Sequence, residues 1–77
     1  MNTYSNQTVV WLVSEGEARE GQNARSVHIS RDGALEAAAV LRERAGGVWE
    51  LLRAQGAYTM WGCRADRVTV EVMPLKG

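Results

Sequence analysis

The feature that most constrains this chain is a run of apolar residues at helical spacing. Ala34, Ala38, Leu41, Ala45, Val48 and Leu52 follow one another in steps of three and four, the repeat of one face of an α-helix. Leu35, Ala37 and Leu51 widen the stripe. Glu36, Glu43 and Glu50 stack seven apart on the opposite side, where Arg42 and Arg53 also point to water. Ser30 or Asp32 can cap the free amides of the first turn, Asp32 also suits the positive end of the helix dipole, and Gly56 offers a left-handed stop. Gly46-Gly47 is the one interruption. Two interior glycines cost about 1 kcal/mol each relative to alanine. They can end the helix and leave residues 48–54 as a strand, or they can sit inside a kinked helix that approaches a sheet closely. Because the apolar stripe keeps its phase across them, one long helix over residues 30–56 is the expectation, with Glu50 and Arg53 able to pair along it.

The remaining segments read as strands. Residues 8–13 are β-branched and aromatic and apolar on both faces, as in a central, covered strand. Residues 14–24 hold Glu15, Glu17 and Glu20 among glycines and read as an acidic connecting loop. Residues 25–29 alternate as a second strand, with Val27 and Ile29 on one face and Ser26 and His28 on the other, so that His28 is expected on the exposed face. Residues 57–63 and 67–73 form a hairpin joined by Arg64-Ala65-Asp66, and Pro74 ends the last strand. The expected fold class is α+β in the order β-β-α-β-β. It comprises a four-stranded, mainly antiparallel sheet with one long helix, kinked or straight, on one face, in a single domain over residues 1–77.

Composition narrows the function. Nine basic and nine acidic residues cancel, so no global field draws in nucleic acid. Arg25, Arg31, Arg64 and Arg67 keep a nucleic-acid-binding regulator as the alternative reading. The single cysteine, Cys63, excludes an internal disulfide and suits a reducing, cytoplasmic compartment; it reads as a small buried hydrophobe. Residues 2–7 form a polar tail without a basic leader, and residues 8–13 are too short for a signal or membrane segment. There is no nucleotide-binding glycine loop, no CxxC, and one histidine only. No enzyme activity, cofactor or metal is expected.

One helix can cover only one face of such a sheet. Large apolar groups left on the other face would mark an association surface. The candidate partner-contact residues are Trp11, Trp61 and His28, together with Glu15, Glu17 and Glu20 of the acidic loop. For Trp61 the reading is that Tyr58 and Met60 meet the helix while Trp61 lies on the open face beside Cys63; the reverse arrangement is the alternative. The small core and the surplus apolar surface also lead to the expectation of a homodimer that buries the open face.

A strand, a polar loop, a second strand and then Ser30-Arg31-Asp32-Gly33-Ala34-Leu35-Glu36-Ala37-Ala38 opening a helix resembles many small proteins of phages and mobile elements, anti-CRISPR proteins among them. The resemblance rests on size, element order and this helix opening, and it transfers no functional residue. It implies a protein that inhibits a host defence complex by occluding a surface. This neutral chain departs from the acidic nucleic-acid mimics in that group. HicB-like antitoxins share the strand-strand-helix opening, but no appended DNA-binding segment follows it here.

Overall fold

In the computed structural model, which describes residues 9–74, the alternating segments pair into one antiparallel sheet of five strands, not the four expected. The strands are β1 (Val9–Glu17), β2 (Gly21–His28), β3 (Glu50–Gln55), β4 (Tyr58–Cys63) and β5 (Asp66–Pro74), and the helix α1 (Arg31–Ala45) lies between β2 and β3 in sequence. The order across the sheet is β2-β1-β5-β4-β3. The polar tails over residues 2–7 and 75–77, and Thr8 at the start of the first strand, lie outside the described residues.

The extra strand comes from the second half of the expected helix. Ser30 is the N-cap, its hydroxyl accepting from the Gly33 amide at 3.0 Å, as the sequence suggested. Asp32 sits in the first turn, and Arg42 and Arg44 in the last, each sign matched to the helix dipole. The helix stops at Ala45. Gly46 has φ 74° and ψ −178°, and Gly47 has φ 85°. Residues with a side chain rarely adopt these values. The Gly46 amide donates to the carbonyls of Arg42 and Glu43, closing the last turn. The apolar phase that continues past the glycines is therefore not a helical face. Val48 is 84% exposed, and Glu50 and Arg53 lie in β3, not one helical turn apart.

The first hairpin is longer than expected. Strands β1 and β2 take in most of residues 14–24, leaving Ala18-Arg19-Glu20 as the turn. Its polar side chains sit toward the far end of the sheet, where no apolar partner is needed. The two hairpin turns at this end are linked by the Ala18 amide donating to the Ala65 carbonyl at 2.8 Å. The second hairpin matches the expectation closely, with Arg64-Ala65 as its turn.

The helix packs over β2, β1 and β5. The fully buried core is small: Val13, Ala34, Ala38, Val68 and Val70. Around it pack Trp11, Leu35, Ala37, Leu41, Trp49 and Trp61. Val13 lies opposite Val70 across the β1–β5 ladder, and the alanines bring the helix backbone down onto these valines. Register assigns the faces. Residues directly opposite one another share a face, so Trp11, Val13, Thr59, Trp61, Val68, Val70 and Val72 belong to the helix side.

Because Gly46 occupies a conformation that favours glycine, Gly46→Ala is expected to lower stability by about 1–3 kcal/mol. A continuous helix would instead gain from the change. Gly47→Ala is expected to be destabilising as well, since its new methyl would stand 2.8 Å from the Cys63 sulfur. Chemical denaturation of the two variants checks both signs.

Candidate interaction surface

Trp11, Trp61 and His28, taken from the sequence as open-face contacts, all lie on the helix side. Trp11 faces His28 on β2 and Val72 on β5. Trp61 faces Val68 and Leu51, and the Arg42 guanidinium stacks 4.0 Å from its ring centroid. Arg42 also donates from Nε to the Ala38 carbonyl at 3.3 Å. Burial lowers the Arg42 pKa from its ordinary value by desolvation; the guanidinium stays charged and gains from the ring face. The reason for the reversal is steric. The alanine stripe sits over the valines of β1 and β5, and the space left beside it, toward β4, is filled by an indole. Tyr58, Met60 and Gly62 then fall on the open face. His28 is half-buried near the helix start and shares a hydrogen bond with the Ser26 hydroxyl at 2.8 Å.

The acidic residues separate. Glu15 pairs with Arg25 at 2.6 Å, Glu17 ends β1, and Glu20 stands in the turn. Glu15 and Glu17 line a hollow of about 230 Å³ with Asn23, Arg25, Trp49 and Arg67. This is smaller than the roughly 300–1,000 Å³ of small-molecule sites. A second hollow, about 490 Å³ and open, lies behind Gly46-Gly47. Cys63 lines it, half-buried and not within the core as expected, but it is accompanied only by Arg64 and Asp66 as charged groups. Among the described residues no three His, Cys, Asp or Glu side chains converge on a metal-sized site, and no helix is long and apolar enough to cross a membrane.

The open face of the sheet, which α1 does not cover, carries a further set of apolar side chains. Val27 lies opposite Leu12, Val10 opposite Met73, and Met60 opposite Thr69. Val27 is 59% and Met73 39% exposed. At the centre Ser14 and Thr69 face each other and are both buried, with the Thr69 hydroxyl 3.4 Å from the Gln22 side-chain oxygen. Gly62 continues this low centre, roofed by Leu52, whose Cδ1 would stand 2.5 Å from any added Cβ. The result is a shallow trough, polar at its floor, with an apolar rim interrupted by the exposed Glu71 between Leu12 and Tyr58. The rim residues Leu12, Val27, Met60 and Met73 were not singled out from sequence. The signal that could have found them is the alternation itself, once Trp11 and Trp61 are assigned inward. The chain matches no protein-family model, and no curated protein or solved structure shows significant similarity to it.

Trp61→Ala is expected to destabilise the fold by roughly half of the about 3–5 kcal/mol that a fully buried tryptophan costs. Arg42→Ala is expected to cost about 0.5–2 kcal/mol. Denaturant melts of both variants and of the double variant check this. The two losses should fall short of additive, because each removes the same stacked pair.

Proposed function

We propose that this chain is a non-catalytic protein-interaction module that binds another protein on the open face of its sheet and acts by covering that protein's surface. The observation that carries the reading is the trough: an apolar rim of Leu12, Val27, Met60 and Met73 left without a covering element, around a floor whose polar groups, Ser14 and Thr69, are already buried. A surface of this kind gains from docking through its apolar rim, while Glu71, exposed on the same face opposite Leu12 and Tyr58, calls for a complementary charge on the partner. Its action would be steric occlusion, the mode expected of a small inhibitor from a phage or mobile element. The arginines that kept nucleic acid in view offer less support. Arg25 is ion-paired with Glu15, Arg67 donates to the carbonyls of Arg64 and Asp66, and Glu15, Glu17 and Asp66 line the same hollow as Arg25 and Arg67.

The test uses Val27→Glu with Met73→Glu, two exposed positions on the rim. The variant is expected to melt within about 1 kcal/mol of the parent. Its affinity for the protein that co-purifies from the native host, measured with that protein purified, is expected to fall at least roughly a hundredfold, the loss of one interface hot spot or more. Unchanged affinity would show that the open face is not the docking surface.

A further inference from the structure

On the helix side of the sheet, α1 packs over β2, β1 and β5. The two outer strands, β4 and β3, form a strip beyond it, touched by the Arg42 guanidinium where it stacks on Trp61. The strip is about two strand spacings wide, or roughly 10 Å, which is the diameter of one helix with its side chains. Register supplies its floor. Thr59 and Trp61 of β4 face Val70 and Val68 of β5 and so point to the helix side, and Ala54 and Leu51 of β3 lie opposite them. Ala54 is exposed, Leu51 is 58% exposed, and Val48, just ahead of the strand, is 84% exposed. The floor carries no charge: β4 has no charged residue, and the two in β3, Glu50 and Arg53, pair with Gly62 and Met60 on the open face.

The wall of the strip is the flank of α1 that bears Arg42, with Leu35 two turns earlier on the same flank. Arg42 is fixed in place. Its guanidinium lies 4.0 Å from the Trp61 ring centroid, and its Nε donates to the Ala38 carbonyl at 3.3 Å. Among the described residues it meets no carboxylate, the one ion pair there being Arg25 with Glu15. An ordered, half-buried guanidinium with its terminal amino groups unused is suited to a carboxylate, which it can hold by two parallel hydrogen bonds. We propose that this strip is the docking groove for an amphipathic α-helix of a partner protein, its apolar stripe on Val48, Leu51 and Ala54 and a carboxylate at its margin on Arg42. Width selects a helix, and charge selects its acidic margin. Little side-chain freedom remains for Arg42 to lose when the pair forms. The α1 helix of a second copy fits poorly, because its outward side presents Asp32, Glu36 and Glu43 with Val40 as the exposed large apolar residue, and docking would bury several carboxylates against an apolar floor. The groove is on the opposite side of the sheet from the trough and does not depend on the trough being occupied.

The probes are two synthetic helices of about four turns, stapled on their outer face to hold them helical. Each has one leucine stripe, flanked by glutamates in the first peptide and by lysines in the second. Both are titrated into the isotope-labelled full chain and followed by NMR. The acidic helix is expected to bind with a Kd of about 10–100 μM and to shift the amides of Leu51 and Ala54 and the Trp61 indole. The basic helix is expected to bind at least roughly tenfold more weakly. Arg42→Gln is expected to erase that preference and Arg42→Glu to reverse it. Leu51→Glu, at an exposed position, is expected to melt like the parent and to weaken the acidic helix roughly tenfold or more. Val27→Glu with Met73→Glu is expected to leave its binding unchanged. Failure of both helices to bind at about 1 mM would overturn the proposal. So would equal affinity for the two, or shifts centred on Val27 and Met73. A dimer in sedimentation that Arg42→Glu dissolves would overturn it as well, since a second copy would then fill the strip.

Discussion

The structure depends on the seating of two alanines on three valines. Ala34 and Ala38 are one turn apart on α1, and with Val13, Val68 and Val70 they are the fully buried apolar residues among those described. Side chains this small supply little burial each, at about 0.8 kcal/mol per buried methylene group. They let helix and sheet approach until the surrounding Trp11, Leu35, Leu41, Trp49 and Trp61 close around the contact. The large residues are thus a collar and the small ones the seat. A bulkier residue at Ala34 or Ala38 would lift the helix and open the collar on every side, since packed interiors yield little volume.

The same seat explains what stays uncovered. A helix is about 10 Å across with its side chains, and strands are spaced about 4.8 Å apart. One helix can therefore roof about three strands, and α1 roofs β2, β1 and β5. Once α1 has reached its end, a longer helix would gain no further sheet to cover. The chain instead turns at Gly46-Gly47, while the Trp49 indole donates to the Gly46 carbonyl at 3.0 Å, and it returns as β3 along the far edge. The apolar residues that a longer helix would have buried are then spent on a strand with solvent on both faces. Hence the most exposed aliphatic groups of this half, Val48, Leu51 and Leu52, belong to one edge. The open face is the second consequence, because a lone helix can protect only one side of the sheet.

Much of the architecture was legible in the residues. The Ser30 cap and the β4–β5 hairpin around Arg64-Ala65 each follow from local chemistry: a side-chain oxygen three residues ahead of a free amide, and a short polar turn between alternating strands. The failures have equally local causes. At Gly46-Gly47 the choice between kink and stop rests on backbone dihedrals, which residue spacing does not carry, and the apolar phase across the glycines was shared by chance. In the first hairpin, Gln22, Asn23 and Arg25 look like loop residues because they are polar and exposed in an edge strand, and so carry no apolar alternation. For Trp61, period 2 separates it from Tyr58 and Met60 but does not say which set faces inward.

What the sequence by itself determined is therefore the set of local elements: where a helix begins, which residues alternate, and that one helix must leave a sheet face bare. Only the tertiary structure decided which face that is. The decision came from volume, since the alanine stripe leaves room for an indole beside it under Arg42, and the helix side of the sheet already holds Val13, Val68 and Val70. It also decided that Leu51 and Leu52 end on an edge, because after the glycine turn the chain pairs with β4 on one side only. Pairing between distant segments is a property of the assembled sheet, and no window of the chain contains it.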